Sequence, residues 1–427
     1  LQEARKLGDR LVVSITDDKY VDKGLGRPRF TAEQRAAAIK ALSCVDEVVI
    51  NSSPSAVEVI SRIKPAIYVK GIDYKGSNDA GLDLERMAVE SVGGRLVVTD
   101  TEKLSSSAIL KSEMFSEDVV KYLEHAKNLD FRSAILAAFD EADKLRISFV
   151  GETIVDEYRY VQGLGKSSKE MMLAVVEVGC EQFEGGAIAA SKHGEWKFSE
   201  GISPTEYVKK TRYVDKDFNR KIFDVYSQQR LCLSSVRRRK FQEQLSEVVA
   251  GSDVVIAMDF GHGLLEVKER DTLEWARFLA VNSQSNAGNY GFNTVTKYLK
   301  PKFICIDDPE ARLAAGMQID PIDIVIERLR GLTGCNQMVV THGKFGSRWM
   351  DLKGAGLAPA FVSGGIDTMG AGDAVMAVSA PLVATGLPVQ MAAFVGNIAG
   401  AIKTSIVGHR RHVNRQEIIQ TVEALLA

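Results

Sequence analysis

From residue 11 onward the chain alternates short apolar runs with stretches whose apolar residues recur at three and four spacing. LVVSIT (11–16), EVVI (47–50), AIYVKG (66–71) and RLVVTD (95–100) are bounded by polar and turn residues and predict strands. Residues 31–42, 55–63 and 84–92 carry helical spacing between them. This βα rhythm predicts a small parallel sheet covered by helices over residues 1–111. Residues 112–144 then lack any strand signal and read as a helical connector. ISFVG (147–151) restarts the alternation, which continues through VVIAMDFG (254–261), FICID (303–307) and QMVVTHG (337–343), so residues 145–427 predict a second α/β domain. No internal repeat or low-complexity tract interrupts it.

One apolar segment changes the picture if misread. Residues 374–402 contain no Asp, Glu, Lys or Arg and are long enough to span a bilayer. Pro381, Gly386, Pro388, Gln390 and Asn397 divide the run, so two buried helices joined by a Gly-Leu-Pro turn are expected, with no membrane partner. Residues 1–10 are charged and amphipathic, unlike a secretion signal; the start inside a helix, without Met, is expected to reflect a missing beginning.

Over 427 residues, two or three domains are expected. Lys and Arg number 54 against 56 Asp and Glu, a net charge of −2 that gives no global footprint for nucleic acid. The basic run 237–240 has acidic neighbours at Glu243 and Glu247 and reads as a solvated helix face. Five cysteines, odd in number and without CxxC spacing, indicate neither a disulfide framework nor a zinc site, and a reducing cytoplasm is the expected location.

The candidate chemistry is concentrated in DTMGAGDA (367–374). Gly370, Ala371 and Gly372 let the backbone curl so that N–H groups at the following helix N-terminus face an anion. Asp373, at the mouth of that hole, is placed to accept the proton of an attacking hydroxyl while the hole holds charge on a transferred phosphoryl group. A bare GxGD would be read as a helix-capping turn. Here DTMGAGD resembles the C-terminal signature of the ribokinase/phosphofructokinase-B family of carbohydrate kinases, and the resemblance extends over residues 147–427.

That resemblance implies further sites. VVTHGKFG (339–346) is similar to the family's nucleotide strand and turn, which puts Thr341, Gly343 and Gly346 at ATP, with Asn397 approaching the adenine. Asp307 and Glu310, in DDPE, take the places of the family's NxxE, which organises Mg2+ and phosphate. GETIVDEYRY (151–160) is similar to the segment whose carboxylate grips sugar hydroxyls, with Asp156 as that carboxylate. GGAIAASKH (185–193) resembles the first family signature through Gly185 and Gly186, with Ala189 or a neighbour where the family has Asn. Arg212, in TRYVD, is expected to pair with a substrate phosphate; the interval before it is shorter than in the family, and missing residues between His193 and Thr211 are the expectation. His193 alone reads as a packed or surface histidine rather than a ligand. The Asn-, Ser- and Gly-rich segment 280–298, after a strand-like start, reads equally as lining for the sugar site or a subunit contact and as a long ordered loop, with no catalytic role assigned.

The first domain resembles the cytidylyltransferase-like family, and within it the nucleotidyltransferase half of bifunctional heptose 1-phosphate adenylyltransferase/heptose kinase proteins, with the domain order reversed. ARKLGDRLVVSITDD (4–18), KGLGRPRF (23–30), YVKGIDY (68–74) and LSSSAI (104–109) match in order. Lys23, Arg27 and Lys70 would neutralise the phosphates of a second nucleotide, ATP or CTP, while Ser105, Ser106 and Ser107 offer hydroxyls to the same oxygens. The family's HxGH motif is expected just before Leu1. The fold expected is therefore α/β throughout: a Rossmann-like nucleotidyltransferase domain followed by a ribokinase-like kinase domain. The activity expected is an ATP- and Mg2+-dependent sugar kinase joined to a sugar 1-phosphate nucleotidyltransferase, acting on a sugar or sugar phosphate and assembled as a homodimer. The alternative is a kinase whose first domain only binds nucleotide or supports oligomerisation.

Overall fold

The computed structural model describes residues 1–21, 28, 30–74, 80–99, 115–166, 172–361 and 365–426. The chain divides into two compact units, Leu1–Glu117 and Asp118–Ala427.

In the first unit, β1 (Val12–Thr16) pairs in parallel with β2 (Glu47–Asn51), and β3 (Ile67–Lys70) pairs in parallel with β4 (Arg95–Val98). The described residues thus form two parallel pairs where a single small sheet was expected. Helix Ala32–Lys40 starts on Thr31, whose hydroxyl accepts from the Gln34 N–H while Gln34 returns a bond to the Thr31 N–H, a reciprocal cap that satisfies two otherwise unpaired donors. Arg35 on this helix bonds the Thr16 carbonyl at 2.8 Å and the Asp18 carboxylate at 2.6 Å, anchoring it to the end of β1.

The second unit holds two sheets. The larger runs in the order β16-β15-β14-β13-β12-β11-β5-β8, with β5 (Ile147–Gly151), β8 (Ser199–Ile202), β11 (Val254–Asp259), β12 (Leu279–Ser283), β13 (Phe303–Asp307) and β14 (Met338–Thr341) parallel. β15 (Ser347–Asp351) and β16 (Gly354–Ala358) continue it as antiparallel strands. Strands β5 and β11 are buried along their whole length, as expected of near-continuous apolar runs covered on both faces. The smaller sheet has the order β10-β9-β6-β7 and is built from β6 (Thr153–Lys166), β7 (Leu173–Gly185), β9 (Tyr207–Asp215) and β10 (Lys221–Tyr226). Between β7 and β9 the chain forms a short helix, Gly186–Ala190, and β8.

Two expectations about helices meet the structure differently. The uncharged segment forms helices Ala371–Ala384 and Val389–Thr404, buried along most of their length and joined by a four-residue turn. Among the described residues no helix is long and apolar enough to cross a membrane. The segment read as a connector instead contributes helices Glu117–Asn128 and Phe131–Ala142 to the second unit. Its apolar stripe explains why: Phe131, Ile135, Phe139 and Ala142 are fully buried, Phe131 meets Phe394 edge to face, and Phe139 stacks on Trp196.

Candidate active site

The DTMGAGDA segment forms the turn and first helical turn that its small residues predict. Gly370 has φ +72°, a left-handed conformation in which a side chain would be strained, and a Cβ there would lie 2.8 Å from His409. Helix Ala371–Ala384 begins immediately after it, so the first-turn amides around Gly372 and Asp373 lack intrahelical acceptors and the helix dipole is positive there. Asp373 is buried in that first turn. Burial pushes its carboxyl up to about 6, against the opposing pull of Lys403 and a 2.8 Å hydrogen bond from the Gln284 amide.

Asp367 fixes the start of the turn. Its Oδ1 accepts from the Met369 N–H at 3.0 Å and the Lys221 ammonium at 2.7 Å; its Oδ2 accepts from the Tyr158 hydroxyl at 2.9 Å and the Gly408 N–H at 2.8 Å. Burial alone would raise this carboxyl, but Lys221 and the two backbone donors bring it down to about 2, so it is a carboxylate across the neutral range.

Gln284 and its neighbour join two candidate groups. Gln284 bonds Asp373, and the next N–H, that of Ser285, bonds Glu310 Oε1 at 3.1 Å. Glu310 and Asp307 form a reciprocal cap on helix Asp308–Ala315: Asp307 Oδ1 accepts from the Glu310 N–H at 2.8 Å and Glu310 Oε2 from the Asp307 N–H at 3.1 Å. Burial, with Asp307 beside it, pushes Glu310 up to about 8, and burial also raises Asp307. Among the described residues no group of three or more His, Cys, Asp and Glu side chains is placed to hold a metal ion. Two partly desolvated carboxylates at the end of β13 nevertheless fit Mg2+, which keeps water and phosphate oxygens among its ligands. Such an ion would neutralise charge on the transferred phosphoryl group.

On the smaller sheet, Asp156 and Arg212 lie diagonally on the parallel strands β6 and β9, Arg212 being in register with Tyr158 and Asp156 with Lys210. Asp156 Oδ1 accepts from Arg212 Nε at 3.1 Å and Nη2 at 2.9 Å, and both side chains are buried. Arg212 also bonds Asp224 at 2.8 Å. The guanidinium expected at a substrate phosphate is thus committed to two carboxylates, and a buried charge needs such partners. Gly185 lies against Asp156: an added Cβ would sit 3.0 Å from Oδ2. Gly186 has φ +71° and its Cβ would collide with the Glu152 carbonyl at 2.1 Å, so close backbone approach requires glycine at 186.

In the nucleotide segment, Thr341 ends β14 and Gly343 opens the turn at Gly343–Phe345. The His342 N–H bonds the Gly346 carbonyl at 2.7 Å, closing the turn. Gly346 has φ +88°, and a Cβ there would meet the Ala358 carbonyl at 2.1 Å. Asn397, expected near an adenine, is buried with its amide donating to the Ala358 carbonyl at 2.8 Å and the Pro359 carbonyl at 3.0 Å. It holds the chain leaving β16. His193 is a packed histidine whose Nδ1 accepts from the Val413 N–H at 2.9 Å, and burial drives its ring down to about 3. The run at 237–240 is a paired face, with Arg237 on Glu206, Arg238 on Glu269 and Arg239 on Glu243.

In the first unit, Lys70 ends β3 and pairs with Glu85 at 2.7 Å, its ammonium 4.6 Å from the centre of the Tyr74 ring. Burial opposes its charge, but Glu85 and Tyr68 together outweigh this and raise its pKa. Tyr68 donates to the same carboxylate at 3.2 Å. Lys23, Arg27, Ser105, Ser106 and Ser107 lie outside the described residues.

Comparison with known proteins divides along the same line. A cytidylyltransferase-like family model matches residues 1–112, and a pfkB family carbohydrate kinase model matches residues 278–413. The bifunctional protein HldE of Syntrophotalea carbinolica is 41% identical over 102 residues, 23% of this chain and 20% of that protein. That of Gluconobacter oxydans is 41% identical over 118 residues, 27% of this chain and 24% of that protein. The matched region thus spans about a fifth to a quarter of these relatives' length. Among solved structures, phosphofructokinase-2 of Escherichia coli superposes with a TM-score of 0.52 at 11% identity, over 66% of this chain and all of that one. A ribokinase of Thermotoga maritima gives 0.50 at 17% identity, over 66% of this chain and 99% of that one. These two likenesses concern the fold. The chain therefore carries a cytidylyltransferase-like domain at its N-terminus, followed by a ribokinase-like pfkB carbohydrate kinase domain.

Proposed function

We propose that this chain is a bifunctional enzyme of activated-sugar synthesis, its second unit phosphorylating a sugar or sugar phosphate with ATP and Mg2+ and its first unit joining a sugar 1-phosphate to a nucleotide. The observation that carries the kinase half is the buried Asp373 in the first turn of a helix that opens on Gly370. With a carboxyl at about 6, Asp373 is ionised at neutral pH and takes the proton from the attacking sugar hydroxyl. First-turn amides receive the developing phosphoryl charge. Asp307 and Glu310 hold Mg2+ or its water shell, Thr341, Gly343 and Gly346 border the nucleotide, and Asp156 with Gly185 and Gly186 borders the sugar. Arg212 then orients Asp156, and Asn397 shapes the nucleotide side by fixing the turn after β16. We place the protein in the cytoplasm, in keeping with five free cysteines, and expect a homodimer.

The transferase half rests on the four sequence blocks and on the family match over residues 1–112. ATP or CTP is its nucleotide, with Lys23, Arg27, Lys70, Ser105, Ser106 and Ser107 about the phosphates. Pyrophosphate release on mixing the whole protein with either nucleotide and a panel of sugar 1-phosphates tests this half. No release with any pair, alongside sugar phosphorylation by ATP, would leave a kinase with a non-transferring first unit.

A further inference from the structure

Lys403 lies in the last turn of helix Val389–Thr404 and is fully buried. Its ammonium donates to the Met369 carbonyl at 2.6 Å and the Gly408 carbonyl at 2.7 Å. Those two residues are also held by Asp367, which accepts their N–H groups at 3.0 and 2.8 Å. A cation and an anion thus grip the same two peptide segments from opposite polarity. Met369 immediately precedes Gly370, whose left-handed turn starts the anion-binding helix, and a Cβ on Gly370 would lie 3.3 Å from Lys403 Cε. The lysine stem therefore packs directly beneath the turn.

Charge explains what the grip costs and offers. Burial works against the ammonium, while Asp367, Asp373 and Asp156 favour it and Lys221 opposes it; His409 also lies in this cluster. A buried cation is retained where its partners supply fixed negative charge and carbonyl dipoles. Behind the first turn of helix Ala371–Ala384, it adds positive potential to that of the helix dipole.

We propose that Lys403 is a positioning residue for phosphoryl transfer: its buried ammonium clamps the Met369 and Gly408 carbonyls, locks the Gly370 turn in its anion-receiving shape, and supplies fixed positive charge behind it. This rests on reading Asp373 and its turn as the phosphoryl-transfer site. The clamp acts in the transition state, where the turn receives charge, so its loss falls on kcat more than on the KM for ATP.

The test uses the full chain, ATP and a sugar that the wild-type protein phosphorylates. Lys403→Met removes the ammonium and keeps most of the stem volume. Turnover is expected to fall by roughly 10²-fold, the scale for loss of one charge-stabilising group, with a small change in KM. Ammonium chloride should restore much of it saturably, and tetramethylammonium chloride at equal ionic strength should not, because it has no N–H to offer the carbonyls. Wild-type turnover in Lys403→Met, or a folded variant whose loss ammonium does not relieve, overturns the proposal. Should that variant fail to fold, Lys403→Gln keeps neutral donors: a kcat-selective loss supports the proposal and wild-type turnover overturns it. A wild-type protein that phosphorylates no sugar overturns the kinase reading first, and the clamp's role with it, so the two failures are distinct.

Discussion

Gln284 places its side-chain amide 2.8 Å from Asp373 Oδ1, and the N–H of the following residue bonds Glu310. A single dipeptide at the end of β12 thereby sets the candidate base and the candidate metal carboxylate in one frame. The Gln284 bond favours the ionised form of Asp373.

Replacing Gln284 by Leu removes that stabilisation, so the carboxyl of Asp373 moves above its value of about 6. The acid limb of the kcat/KM profile should shift to higher pH, and phosphorylation at pH 6 should fall by a larger factor than at pH 8. Parallel losses at both pH values would assign Gln284 a purely structural role.

Asp373 also links activity to stability. Burial holds its folded carboxyl up at about 6, above the ordinary aspartate value of about 3.9, so between those values the folded state binds more protons than the unfolded one, and stability falls as pH rises. The Asp373→Asn variant has no charge to bury. It should melt higher than wild type at pH 7.5, by on the order of 2 kcal/mol, and lose most of that advantage near pH 4. Calorimetric melts at the two pH values check this, and an advantage independent of pH would contradict it.

The eight strands read as short apolar runs were legible nearly residue for residue, because such runs ended by turn residues leave little freedom in where a buried strand begins. Strands β6, β7, β8, β10, β15 and β16, whose positions are largely half-exposed or exposed, show no such run and were not legible. The left-handed Gly370 and the helix after it were legible too, since small residues in that order have few other uses. Partnerships across the fold were not. Gln284 lies in an amide-rich segment to which the sequence assigns no catalytic role, and its bond to Asp373 depends on how β12 and helix Ala371–Ala384 meet. Lys403 looks locally like an ordinary basic residue in a helix's last turn. Asp367 stood inside the recognised motif, but its four donors come from three distant parts of the chain as well as from Met369. The partners of Arg212 and Asn397 were equally hidden: in the structure they hold Asp156 and the turn after β16.

The helices at 117–142 make the boundary between the units testable. A fragment starting at Asp118 keeps Phe131 against Phe394 and Phe139 against Trp196, and should fold cooperatively and bind ATP. One starting at Lys144 exposes the apolar surface those rings cover and should aggregate or melt far lower. Equal melting temperatures would show that the two helices are an independent connector after all.

In the first unit, Glu85 competes with any phosphate for Lys70. Glu85→Gln should free the ammonium and tighten ATP or CTP binding severalfold, whereas Lys70→Met should weaken it. Titration calorimetry on the whole protein, with Asp373→Asn in the background to stop turnover and the ATP site of the second unit fitted separately, reads both changes. Identical affinities in all three proteins would remove Lys70 from the nucleotide site.

The most direct test of the kinase reading is a single comparison: transfer of the γ-phosphoryl group of ATP to a panel of sugars and sugar phosphates, followed by mass spectrometry for wild type and for Asp373→Asn. The account predicts a phosphorylated product with wild type and turnover lower by roughly 10²-fold or more in the variant, with ATP affinity retained. Equal turnover in the two proteins would contradict it.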